Sequence, residues 1–156
     1  MKAKTIILLN SVLTKAVYLM YPLMLIYLGI YHLTDKEPGF VPALLVPGIS
    51  FVLVSIFRDR LNAPRPYEMP GAEPPIIKKD ALGKSFPSRH VFSIFVIAVT
   101  AFWVWPAAGI LTGIAGVILS WCRVAGGVHF PRDVIAGALI GAGCGVLGYY
   151  VILPLL

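Results

Sequence analysis

Acid and sulfur are scarce in this sequence. Thirteen Lys and Arg outnumber seven Asp and Glu, charged residues make up only 13% of the chain, and the two cysteines are Cys122 and Cys144. Two thiols set apart in or beside apolar segments exclude a disulfide framework and a metal knuckle; both are expected to serve as small packing residues, and no metal or cofactor is expected. The scarcity of charge, against 58% hydrophobic residues and a mean hydropathy of +0.86, argues against a water-soluble globular domain. A formal charge of +6 and a pI near 9.5 are also found in nucleic-acid binders. Here the basic residues lie between long apolar runs, so no nucleic acid is expected and anionic lipid headgroups suit them better. The apolar stretch Met1 to Leu33 is interrupted by Lys15 and followed by no small-x-small cleavage site, so it is expected to stay as a membrane segment.

What the sequence does have is long apolar runs. A membrane span needs roughly 20 such residues, and five stretches approach that length: 16–33, 40–57, 91–105, 107–122 and 134–154. The expected fold is therefore all-α, a single polytopic transmembrane bundle of about five spans over residues 1–156 with its active site at one membrane face. The third run is short but can borrow Pro87 to His90, and Pro106 marks a tight turn after Trp103 and Trp105, which suit an interface. Gly109, Gly113 and Gly116 in the fourth run, and Gly137, Gly141, Gly145 and Gly148 in the fifth, have the spacing that lets helices approach closely in lipid. The fourth and fifth spans are expected to pack on each other.

One long polar segment, 58–90, separates the second and third runs and contains six prolines without an amphipathic period. It reads as a functional loop over the membrane surface. Counting spans puts the N-terminus, this loop and the 123–133 connection on one side. All six arginines fall there, with His90 and His129, while His32 falls opposite.

Charged groups at membrane depth are costly unless paired or used, so their clustering at span ends marks function. Three clusters occur: Arg58, six residues, then Arg65-Pro66; Pro87-Ser88-Arg89-His90; and Arg123, five residues, His129, three residues, Asp133. Arg58, Arg65 and Arg123 offer planar donor forks suited to phosphoryl oxygens. Arg60 and Arg132 read instead as snorkelling interface anchors. His129 precedes Pro131, a favourable first helical residue, so the fifth span starts there with Asp133 in its first turn. Asp133 can then accept the Nδ1 proton of His129 and leave Nε2 free to attack phosphorus. Ser88 is placed as the N-cap of the third span, with backbone N–H groups aimed at the same pocket. His90, one turn in, is the candidate acid for the leaving oxygen.

These motifs resemble those of the type 2 phosphatidic acid phosphatase superfamily, in its membrane lipid phosphatase branch. The family pattern is Lys, six residues, Arg-Pro; then Pro-Ser-Gly-His; then Ser-Arg, five residues, His, three residues, Asp. Arg58 stands where the family has lysine, Arg89 where it has glycine, and Cys122 where it has serine. The resemblance implies a metal-independent phosphatase. Arg58, Arg65, Arg123 and Ser88 would bind phosphate, His129 would be the nucleophile, Asp133 its orienting partner and His90 the general acid. Arg89 would add a phosphate contact, narrow the pocket or select the headgroup. Family membrane members typically have six spans, so this chain looks like one lacking the first.

The substrate expected is a lipid phosphate monoester or diphosphate: phosphatidic acid, phosphatidylglycerol phosphate, a polyprenyl diphosphate or a polyprenyl phosphosugar. Two alternatives stay open, a lipid phosphotransferase using the same intermediate and a non-enzymatic protein that binds anionic lipid. A vanadate haloperoxidase is disfavoured by the membrane spans. Twelve of thirteen Lys and Arg fall on the active-site side and only Lys36 opposite. The positive-inside rule then puts the site at the cytoplasmic face of what is expected to be a bacterial cell membrane.

Overall fold

The computed structural model describes residues 3–35, 39–79 and 81–155. Among these there are five α-helices and no strand: α1 (Ala3–Asp35), α2 (Phe40–Leu61), α3 (Arg89–Val104), α4 (Pro106–Ala125) and α5 (Pro131–Val146), the last continued by a π-helical turn, Leu147–Ile152. Four of the helices are long and apolar enough to cross a bilayer, whereas α3 has 16 residues. At 1.5 Å per residue α3 spans about 24 Å, less than the ~30 Å hydrocarbon core.

Burial explains why α3 can be short. Nine of its residues between Val91 and Ala101 are buried, and Phe92, Ile94 and Val96 anchor the main apolar cluster with Val17 of α1, Val54 of α2 and Leu119 of α4. The other helices surround it and turn residues such as Leu19, Val52, Leu111 and Leu139 outward, as lipid-facing surfaces do. Pro106 begins α4 after the single extended residue Trp105, which is the tight turn expected there.

The helix glycines do allow close packing, but their partner differs from the expected one. A Cβ on Gly137 would lie 2.7 Å from Ser88 O, and one on Gly141 2.4 Å from Phe92 O. Gly109 and Gly116 of α4 likewise meet Phe102 and Phe95. Both glycine-rich helices therefore close mainly on α3 rather than on each other, because the missing side chains let their backbones come up against the α3 chain.

Two boundaries also differ from the sequence reading. α1 begins at Ala3, well before residue 16, because its first turns pack beside the polar loop: Ile6 and Leu9 join Ile77, Cys122 and Val128 in a second cluster. α2 runs through Leu61, so Arg58 and Arg60 sit in its last turn instead of in the loop. Lys36, the one cation assigned to the far side, lies outside the described residues.

Candidate active site

The three sequence clusters meet where the loop closes over the ends of α2, α4 and α5. Asn62, in the left-handed conformation with φ 44°, ends α2 and turns the chain into the loop. The Glu68 carboxylate then accepts the backbone N–H groups of Arg65 (3.1 Å) and Gly83 (2.7 Å), fastening the two ends of the loop together. Gly83 is needed at this closure: its φ is +63°, and a Cβ there would lie 2.2 Å from Asn62 Oδ1. The Ser88 N–H donates to Asp133 O at 2.8 Å, which brings the start of α3 onto the start of α5.

Arg58 and Arg65 bind this frame. The Arg58 guanidinium donates to the carbonyls of Pro87 and Lys84. Arg65 donates from Nε to Gly83 O at 2.8 Å and from Nη1 to Val128 O at 3.2 Å. Both side chains are buried, and each carries a charge into the pocket wall. Arg123, in the last turn of α4, is also buried, but its Nε has no hydrogen-bond partner among the described residues.

His129 is 2% exposed and Asp133 fully buried. Pro131 opens α5 as expected, which places Asp133 in the first turn, where the helix dipole favours a carboxylate. Asp133 Oδ2 accepts the Phe130 N–H at 3.0 Å and lies 3.5 Å from His129 Nδ1. The same oxygen receives the hydroxyl of Ser85 at 2.5 Å, and Ser85 Oγ is 3.4 Å from His129 Nδ1. Ser85 was not singled out in the sequence; it is a third member of the histidine–carboxylate group, brought there by the loop. A serine 48 residues from its aspartate leaves no spacing signal.

Burial is the main force on His129, with Arg65 and Arg123 acting in the same direction and Asp133 against them; together they lower its pKa to about 4. The imidazole is thus neutral near pH 7, the form with a free lone pair on one nitrogen.

Ser88 stands at the N-cap of α3 as expected, yet its hydroxyl makes no capping bond. Its Oγ is buried without a partner among the described residues, like Arg123 Nε. His90 is half-buried, stacks on Tyr18 of α1 at 6.1 Å, and is within electrostatic reach of His129 and Arg123. Arg89 points elsewhere: it is exposed, and its guanidinium lies 5.5 Å from the centre of the Phe51 ring on α2. Arg132, 69% exposed, lies over Phe130, as a surface anchor would. Among the described residues no three His, Cys, Asp or Glu side chains gather as a metal ion requires. The structure thus brings His129, Asp133, Ser88 and three arginines together with His90 at their edge, and leaves Arg89 at the rim.

Comparison with known proteins identifies the family. The model of the PAP2 superfamily matches residues 39–155. A bacitracin transport permease protein, BcrC of Bacillus licheniformis, is 28% identical over 84% of this chain and 68% of its own length. A putative undecaprenyl-diphosphatase of Escherichia coli, YbjG, is 42% identical over 41% of this chain, a match that spans 33% of that protein. Among solved structures, LpxE of Aquifex aeolicus superposes with a TM-score of 0.69 at 28% identity, over 92% of this chain and 86% of its own. With its motifs gathered at the mouth of a membrane helix bundle and the superfamily model matching from α2 to its end, the chain belongs to the PAP2 superfamily, in its membrane lipid phosphatase branch.

Proposed function

We propose that this protein hydrolyses a lipid phosphate monoester or diphosphate through a phosphohistidine on His129. The observation that carries the proposal is a buried, neutral His129 backed by Asp133 and Ser85, beside a Ser88 Oγ and an Arg123 Nε that are buried without a hydrogen-bond partner among the described residues. Buried polar atoms without partners are rare, and two donors of this kind suit the oxygens of a phosphoryl group.

In the proposed mechanism, Arg58, Arg65, Arg123 and Ser88 hold the phosphoryl group, and His129 Nε2 attacks phosphorus. The monoprotonated substrate phosphoryl group passes its proton to His90 on binding, and the bond to the leaving oxygen breaks as His90 gives that proton to the oxygen. Asp133, steadied by the Ser85 hydroxyl, holds Nδ1–H and offsets the positive charge that grows on the ring. Water then attacks the phosphohistidine with His90 accepting its proton, which releases phosphate and restores the neutral imidazole. Arg89 acts on headgroup entry from its position over Phe51 rather than on the reacting phosphoryl group.

The charge bias toward the loop side supports a cytoplasmic orientation of the site in a bacterial cell membrane. A substituted-cysteine label on the loop, read in intact cells against opened ones, tests that orientation.

The test of the chemistry is phosphate release from a panel of lipid phosphates and diphosphates, with acid quench to trap the phosphoenzyme. His129→Ala should lose both phosphate release and the trapped intermediate, by at least about 10³-fold in rate. Full activity in that variant overturns the nucleophile assignment. A competing alcohol added to the assay shows whether water is the only acceptor.

A further inference from the structure

The two residues that open α3, Arg89 and His90, each lie on an aromatic ring from another helix. Arg89 has Phe51 of α2, and His90 has Tyr18 of α1, at 6.1 Å between ring centres and 21° between ring planes. The family match begins after α1, and no phosphatase motif accounts for Tyr18. Ile6, Asn10, Thr14 and Tyr18 recur every fourth residue and share one face of α1, polar along its middle. Contacts set the register of that face. Ile6 packs with Cys122 and Val128, the chain neighbours of Arg123 and His129, while Val17, beside Tyr18, is buried in the main cluster with Phe92 and Ile94 of α3. The phenol is thereby held over the head of α3.

The two histidines of the site are held in different ways. His129 is buried, with Asp133 Oδ2 and Ser85 Oγ at 3.5 and 3.4 Å from its Nδ1. His90 is half-buried, and among the described residues no hydrogen bond reaches its ring. The contact that fixes its plane is the Tyr18 stack, in the separation range that aromatic pairs prefer. A nucleophile can spend one nitrogen on a partner, because only the other reacts. An acid that later turns base needs its nitrogens for proton exchange, and a ring laid on its face occupies neither of them. Aim matters as well, since a donor weakens steeply as it tilts from its acceptor. Tyr18 keeps 46% of its surface exposed and joins neither apolar cluster, so its ring adds little to the packing of the bundle.

We infer that Tyr18 is a positioning residue for the general acid: its ring, lying on one face of the His90 imidazole, holds that imidazole turned toward the leaving oxygen. The inference rests on the phosphatase function proposed above and adds a residue of α1 to it. Attack by His129 Nε2 forms the N–P bond, and the P–O bond breaks with its electron pair on the leaving oxygen, which takes the proton from His90. Water later splits the N–P bond and gives a proton to the same imidazole. Tyr18 exchanges no proton and touches no substrate atom in either step. Its contribution to the first step is therefore confined to substrates whose leaving oxygen needs a proton. A lipid alkoxide is strongly basic and needs one; a nitrophenolate departs without it.

The experiment uses the full chain in detergent micelles and two phosphate monoesters of matched chain length, one of a primary alcohol and one of an alkyl-substituted nitrophenol. Their kcat/KM, which covers the steps through loss of the leaving group, is measured for the wild type, Tyr18→Leu, Tyr18→Phe, His90→Ala and the combined Tyr18→Leu, His90→Ala variant. Tyr18→Leu should lower kcat/KM about tenfold on the alkyl ester and less than about twofold on the nitrophenyl ester. Tyr18→Phe keeps the ring and should restore most of the alkyl rate. In the His90→Ala background Tyr18→Leu should cost nothing further, because the group it positions is gone. An equal loss on both esters, an unchanged alkyl rate in Tyr18→Leu, the same loss in Tyr18→Phe, or losses that multiply in the combined variant overturn the positioning role while leaving the phosphatase function standing. Release of phosphate from neither ester by the wild type overturns both.

Discussion

On the α2 side of the pocket, Arg58 and Arg65 direct their guanidinium groups at the carbonyls of Pro87, Lys84, Gly83 and Val128. On the α3 and α4 side, Ser88 Oγ and Arg123 Nε are just as deeply buried but meet no hydrogen-bond partner among the described residues. All four residues belong to the motifs proposed to bind phosphate, yet their surroundings differ. The first pair holds the loop onto the helix ends and so builds the pocket. The second pair is left open toward it. A motif arginine can therefore be a structural tie as well as a proposed anion ligand, and how far it is a tie is set by which carbonyls the fold brings near.

The largest effect that separates the two sides should come from Arg123→Ala, which lowers kcat/KM by about 10²–10³ while thermal unfolding shifts little, because a transition-state donor is lost without orphaning a protein group. Arg58→Ala should instead cost stability, roughly 1–3 kcal/mol for each buried carbonyl left unpaired, and lose activity along with it. If Arg123→Ala melts as early as Arg58→Ala, the distinction between the two sides is wrong. Next in size is the helix packing that supports the open side. Gly141→Ala forces a Cβ to within 2.4 Å of Phe92 O and should destabilise by about 1–3 kcal/mol. Gly113→Ala, which meets nothing within 4 Å, should be neutral or slightly stabilising in the same denaturation assay.

Ser85→Ala should reduce kcat by about tenfold with KM nearly constant, since it removes one hydrogen bond to the Asp133 oxygen that orients the nucleophile. A change confined to KM would place Ser85 at the substrate instead. The smallest effect expected is that of mild acid. With its pKa lowered to about 4 in the folded protein, His129 stays neutral and kcat/KM should change less than about twofold on this account between pH 7 and pH 5, then fall as pH passes through about 4. The sign for stability follows from the same shift: the unfolded chain takes up the proton near pH 6.5, so this contribution is complete above that value and is lost as pH falls toward 4.

Much of the site was legible in the sequence because it lies in short, rigid spacings. His129, Pro131 and Asp133 fix a histidine, a helix start and a first-turn carboxylate within five residues, and helix geometry does the rest. The same holds for Ser88 and His90 at the head of α3. Ser85 was not legible, since nothing local marks a serine in an irregular loop. Its place beside Asp133 depends on hydrogen bonds that tie the loop to distant groups, through Glu68 and Arg65 on Gly83 and through its own N–H on Ala63 O.

The sequence by itself determined the membrane setting, the helix count and the end of the bundle where the candidate site lies, because hydrophobic run length and the clustering of charge at span ends are properties of the chain alone. Only the tertiary structure decided that α3 is the central helix, that both sets of glycines close on it, that Arg89 turns out over Phe51 and that α1 lends a polar face to the pocket. Those outcomes depend on which helix faces meet, and in lipid that choice follows from the fit of large side chains against small ones, not from hydrophobicity, which every face of a membrane helix already has.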